Sequence, residues 1–200
     1  PAEADSTGGV LEPSTPTPPT SPQPLGYESA PVLEIPVDKL KLSKDVPNFK
    51  EGASTDTGVV EGQELKGSYE RVGTAPIVVW ERSNGDLEVI TGRHRLDLAR
   101  RTGEKTIPSY LVRESDGFTA EDARTFDAES NIRDENGSVR DYAHYFRNKD
   151  MTIQDAESKG LLSRKKGRDG WDIGKSAADE LYTLYRNNKI SADRAAAISR

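Results

Sequence analysis

Four consecutive residues, Gly92-Arg93-His94-Arg95, carry the plainest chemistry in this chain of 200 residues. They follow Leu87-Glu88-Val89-Ile90, which reads as a strand, and Thr91. From Arg93 to Arg101 the sequence reads as a helix, with Leu96, Leu98 and Ala99 apolar. A glycine at such a corner lets the backbone turn tightly and approach a ligand. The helix behind it presents unpaired N–H groups and the positive end of its dipole, which suits an anion. Basic residues in a first turn oppose that dipole, at roughly 0.3–1 kcal/mol each. Three together make sense if a phosphate group sits among them. The alternative is that they pair with nearby carboxylates such as Asp97 or Glu88. His94 has the chemistry of an acid–base catalyst and equally of a phosphate hydrogen-bond donor.

The elements that must position this segment can be read along the chain. Residues 1–31 hold eight of the twelve prolines, with many Ser, Thr and Gly, and are expected to form a disordered linker. Val32–Val37 reads as a short strand, with Pro36 marking an edge or an end. Asp38-Lys39-Leu40 is expected to open a turn, and residues 43–68 to form a long, Gly-rich loop of functional or mobile character. Pro76–Glu81 is a strong strand signal, dense in β-branched and aromatic residues. Ser83-Asn84-Gly85-Asp86 is a hairpin turn. Gly103 ends the first helix, and Ile107–Val112 is a further strand. From Thr119 the pattern turns helical, with a capping-box start at Thr119–Asp122. Helices are expected at 119–130, 138–148, 152–159, 175–187 and 191–199. Early strands followed by late helices imply an α+β fold.

The run Val89–Ala99, then Gly103 and Ile107–Val112, resembles the heart of the ParB/sulfiredoxin superfamily, which reads strand, Gly-x-x-Arg, helix, Gly, Ile-Pro, strand. Gly92, His94 and Arg95 match the sulfiredoxin form of the box, and Arg93 stands where its catalytic cysteine would be. The chain has no cysteine, so sulfinate repair, disulfides and thiolate metal sites are excluded. Glu129-Ser130-Asn131-Ile132-Arg133 with Val139–Ala143 resembles the ParB segment that completes a nucleotide site. The resemblance implies a mixed-sheet domain over 32–150 that binds a nucleoside triphosphate, CTP or ATP, with Mg²⁺. Thr91, Gly92, Arg93, His94, Arg95, Asn131 and Arg133 would hold the nucleotide. Glu129 would face the metal and, with His94, is a candidate catalytic residue. Glu129 and Arg133 also have the spacing of an ordinary i,i+4 surface pair. Taken with Val46–Phe49 and Ala75–Trp80, the pattern looks closest to the ParB-like domain of large polyvalent proteins of phages and conjugative elements, some of them linked to antirestriction.

Residues 151–200 resemble the ParB helix-turn-helix region, through Met151–Ala156, Gly174-Lys175-Ser176 and Lys189–Ile198. The basic stretch Leu161–Arg168 departs from the usual short turn. Residues 159–200 hold ten Lys and Arg against five Asp and Glu, in a chain whose net charge is −6. Arg164, Lys165, Lys166, Arg168 and Lys175 are therefore candidate contacts to nucleic acid, through phosphates rather than bases. An ordinary solvated helix face is the plainer account of the same charges. Trp171 and Tyr182 read as core.

Three functions stay open at this point. One is a nucleotide-binding module working on or with DNA. A second is an enzyme of the superfamily, such as an NTPase, nuclease or phosphotransferase, and the third is a degenerate domain that only links others. The sequence starts without Met and stops within a helical pattern, and is read as a piece of a larger protein with flanking domains. A homodimer is an open alternative. No apolar run is long enough to span a bilayer and no signal segment is present, so the expected setting is the cytoplasm of a bacterial host.

Overall fold

A computed structural model of the chain describes residues 31–200. The linker expected over 1–31 lies, but for Pro31, outside them. The described residues form a five-stranded mixed sheet and seven α-helices. The strands are β1 (Val32–Pro36), β2 (Leu40–Leu42), β3 (Ile77–Glu81), β4 (Leu87–Thr91) and β5 (Thr106–Arg113). Their order is β1-β5-β3-β4-β2. β1 runs antiparallel to β5, and β3 antiparallel to β4, whereas β3–β5 and β2–β4 are parallel pairs. The α+β class expected from the sequence is what the chain adopts.

Local sequence accounts for much of this. β3 is the middle strand, and its Ile77, Val78, Val79 and Trp80 are all buried, as a strand covered on both faces requires. β1 is an edge strand ending at Pro36, where a residue without an N–H costs the ladder least. Between β3 and β4, Arg82 N–H reaches Asp86 O at 2.9 Å and Gly85 takes φ 84°. Helix α1 (Arg93–Thr102) ends at Gly103, whose N–H caps the carbonyls of Ala99 and Arg100. The box expected at Thr119 is present: its side chain accepts from Asp122 N–H and Asp122 returns the bond, opening α2 (Ala120–Arg133). Ser138–Asp141 and Thr152–Asp155 repeat this device ahead of α3 (Val139–Asn148) and α4 (Ile153–Ser158).

Two clusters flank the sheet. Ile35, Leu40, Ile77, Val79, Val89 and Ile107 pack with Leu96 and Ala99 of α1. On the other face Val78, Trp80, Ile90 and Val112 pack with Phe118 and Ala123 at the start of α2. A third core takes Ile132 from α2 and Tyr142 and Phe146 from α3, with Ala156, Leu161 and Trp171. Trp171 is thus core, and Tyr182 is packed against the last cluster with Ala143, Ile173 and Ala195.

Three sequence expectations are corrected. Leu40–Leu42 is a strand parallel to β4 where only a turn was expected. The stretch Leu161–Arg168, read as a basic departure from a short turn, leads into a helix, α5 (Lys165–Trp171), that continues into a π-helical turn at Asp172–Ser176. The helix expected over 175–187 consequently starts later, as α6 (Asp179–Arg186), ahead of α7 (Ala192–Ser199). Gly167, Gly170 and Gly174 hid α5, since glycine argues against a helix interior. Here it is what close packing demands. A Cβ on Gly170 would lie 2.5 Å from Tyr142 Cβ, and one on Gly174 2.6 Å from the Ala143 carbonyl oxygen.

Candidate functional site

Gly92 joins β4 to α1 with φ 91° and ψ 20°, the left-handed region, and no side chain caps the helix there. The sequence suggested that this glycine makes room for a ligand. Its immediate reason is internal: a Cβ would sit 2.4 Å from Ile77 Cγ2. Ile77 is fully buried under α1, so the corner is tight against the sheet before any ligand is considered.

The three basic residues after Gly92 have three different fates. Arg93 is buried. Its Nη1 meets Asp127 Oδ2 at 2.8 Å, and its Nη2 donates to Val46 O at 3.2 Å. Asp127 also accepts from Phe49 N–H at 3.3 Å and from Asn131 Nδ2 at 3.1 Å. Burial pushes its carboxyl up, and Arg93, Phe49 and Asn131 pull it back. The pairing alternative therefore holds for Arg93, though with Asp127 in place of Asp97 or Glu88. Arg95 Nη1 donates to the carbonyls of Ala75 and Pro76, the latter at 3.0 Å. Burial works against its charge, and Asp134 supports it only at longer range. His94 Nδ1 bonds Gln63 O at 3.0 Å, and its Nε2 is buried with no partner.

These residues line a cleft of about 800 Å³, together with Thr91, Gly92, Asn131 and Lys50 and with the carboxylates Asp127 and Asp134. The size suits a small-molecule ligand. Lys50 is the site residue that sequence reasoning missed. It is half-buried, and burial lowers its pKa, opposed by Asp127 and Asp141 and reinforced by Arg93. Among the described residues neither Lys50 nor Arg95 has a carboxylate within ion-pair distance. The cleft thus gathers two cations that are not in ion-pair contact with a carboxylate, an unsatisfied imidazole nitrogen and a helix N-terminus. Such a set attracts an anion. Asp127 was also missed. Its spacing of four from Asn131 places both on one face of α2, a signal available in the sequence.

Other predicted residues lie elsewhere. Glu129 does not line this cleft. It is buried toward the helical core, accepting from Tyr145 Oη at 3.0 Å and paired with Lys159 at 2.6 Å. Arg133 does not line the cleft either, and its Cδ lies 4.0 Å from where a Cβ on Gly160 would be. The proposed i,i+4 pairing of Glu129 with Arg133 is not formed, since Lys159 is the partner. Among the described residues no group of three or more His, Asp or Glu is placed to hold a metal ion. With Glu129 turned away, the donor set expected for Mg²⁺ does not fit.

The basic residues of the C-terminal part are largely engaged within the chain. Lys165 pairs with Asp169 and Asp193. Lys166 reaches Glu135 O at 3.4 Å, and Arg168 caps the carbonyls of Leu162 and Ser163, both at 3.0 Å. Lys175 donates to Lys149 O at 2.6 Å. Arg164 is the N-cap residue of α5. No described helix is long and apolar enough to cross a membrane.

No protein-family model matches the chain, and no curated protein does. Solved structures do. The C-terminally truncated chromosome-partitioning protein ParB from Caulobacter crescentus, complexed to the centromeric parS site, aligns over 84% of both chains at 15% identity and a TM-score of 0.52. The fold is ParB-like. The same truncated protein complexed with CTP-γ-S aligns over 84% of this chain and 92% of that one, at 16% identity and a TM-score of 0.37, too loose a match to bear on the fold. At such identities the likeness speaks for the ParB-like fold and not for its ligands.

Proposed function

We propose that this chain is a nucleotide-binding module on a ParB-like fold, acting on or with DNA. One observation carries the reading: Lys50 and Arg95 meet His94 and the start of α1 in a single cleft, and neither is in ion-pair contact with a carboxylate, although Asp127 and Asp134 stand on the same walls. A triphosphate supplies the missing negative charge and the acceptors these donors require. Thr91 and Asn131 stand on the walls, where a sugar or base would meet them. CTP and ATP are the nucleotides that the sequence resemblance favours. Arg93 belongs to the supporting structure of the site, through its buried pair with Asp127. A DNA partner is suggested by the parS complex of the ParB neighbour and by the basic C-terminal stretch. The finer setting, a polyvalent protein of a phage or mobile element with an antirestriction role, rests on the sequence resemblance alone.

The test is calorimetric titration of the chain with CTP, ATP and GTP, each with and without Mg²⁺, followed by duplex DNA in the presence of any nucleotide that binds. Saturable binding of at least one nucleotide, weakened in Arg95→Ala and in Lys50→Ala, is the expected result. Absence of binding to all three returns the chain to a purely linking role. Release of inorganic phosphate would instead place it among the enzymes of the superfamily.

A further inference from the structure

His94 is fixed in a way that restricts what it can offer a ligand. A backbone carbonyl only accepts, so the 3.0 Å contact between Nδ1 and Gln63 O requires the hydrogen on Nδ1. In the neutral ring Nε2 then carries a lone pair. That atom is buried and without a hydrogen-bond partner, on a residue that lines the cleft. An unprotonated phosphate or sulfate oxygen is likewise only an acceptor. The two repel unless Nε2 gains a hydrogen.

We infer that an anion entering this cleft draws a proton from solvent onto His94 Nε2, so that binding and protonation are one coupled event. The inference rests on the anion-site reading above, and deepens it by adding regulation by pH. No bond to phosphorus forms or breaks. The proton becomes the N–H that donates to the ligand oxygen, and the imidazolium adds a third positive charge to those of Lys50 and Arg95.

The groups facing His94 come from two elements. Lys50, on the long loop before β3, opposes its charge, whereas Glu64 on the same loop and Asp97 on α1 favour it. Burial is the largest influence and, with Lys50, holds the imidazole below its ordinary value. The free site is therefore poised neutral near pH 7. A bound anion reverses the balance by offsetting Lys50 at close range. Affinity should then fall by up to about tenfold for each pH unit of rise between the free and bound pKa values of His94.

The chain holds only two histidines, His94 and His144, so nuclear magnetic resonance of the imidazole nitrogens can follow both. Sulfate is the probe, because it does not itself titrate near neutrality. In the free protein at about pH 7, His94 is expected as the neutral ring with hydrogen on Nδ1. Saturating sulfate should convert it to imidazolium while His144 stays unchanged. His94→Gln supplies a non-titrating donor near the Nε2 position, and should flatten the dependence of sulfate affinity on pH over about pH 6–8. Sulfate binding with His94 still neutral overturns the inference and leaves the anion site standing. So does a pH dependence that persists unchanged in His94→Gln. Free His94 with its hydrogen on Nε2 also overturns it. If wild type binds neither sulfate nor any nucleotide between about pH 5.5 and 8, the anion site itself is wrong and the inference falls with it.

Discussion

Replacing Asp127 by alanine should be among the most damaging single changes in this chain. Asp127 and Arg93 have side chains only 2% and 6% exposed, and their charged atoms are 2.8 Å apart. Removing the carboxylate leaves the guanidinium buried with one remaining acceptor, Val46 O. It also strands Phe49 N–H, and leaves Asn131 Nδ2 with only the Asp127 backbone carbonyl at 2.7 Å. Breaking a buried pair from one side costs about 3–5 kcal/mol, because the surviving charge has lost both water and partner. Against a total stability of about 5–15 kcal/mol, that is a large share. Urea unfolding is the assay, followed through the fluorescence of Trp80 and Trp171, the only tryptophans. Replacing both partners, as Arg93→Met with Asp127→Leu, removes the stranded charge and should recover most of the loss, since apolar substitutes for a buried pair are often neutral or better. A loss below about 1 kcal/mol for Asp127→Ala, or a double variant no more stable than the single one, would refute the claim that this pair is a desolvated structural bond.

Gly92→Ala should cost about 1–2 kcal/mol for the left-handed backbone and about 1–3 kcal/mol more for the clash with Ile77. In combination with Ile77→Ala the losses should fall short of additive by about 1 kcal/mol in thermal or urea unfolding. Arg95→Ala should weaken nucleotide binding roughly ten- to hundredfold, by loss of a charge-assisted hydrogen bond of about 1.5–3 kcal/mol; calorimetry reads this directly, and an unchanged affinity would remove Arg95 from the site. Glu129→Gln should cost about 1 kcal/mol of stability, given the partly exposed Lys159 that it pairs with, and should leave nucleotide affinity unchanged. A loss of nucleotide affinity in that variant would restore Glu129 to the binding machinery that its position excludes.

The sequence by itself determined what depends on near neighbours in the chain. Strand β3 follows from Ile77-Val78-Val79-Trp80, the hairpin from Asn84-Gly85, and the end of α1 from Gly103. The start of α2 follows from Thr119 and Asp122, because each of these signals acts within a turn or one element. The tight corner at Gly92 was legible for the same reason, and its left-handed backbone, φ 91°, is the form that corner takes. Tertiary structure decided what each charge is for. Arg93, His94 and Arg95 are adjacent in sequence, but successive helix residues point about 100° apart. One therefore enters the core to meet Asp127 and one rests on Gln63, while the third reaches back to Ala75 and Pro76. Nothing local distinguishes them. Lys50 joined the site only because the long loop folds back over α1. Glu129 left it because α2 turns that face toward Tyr145 and Lys159. Helix α5 was hidden for a related reason: its glycines lower local helix propensity, yet Gly170, and Gly174 in the turn that follows, let the backbone approach α3, a contact no local pattern records. Leu40–Leu42 is a strand because β4 offers it a parallel edge, a pairing that short-range propensity does not encode.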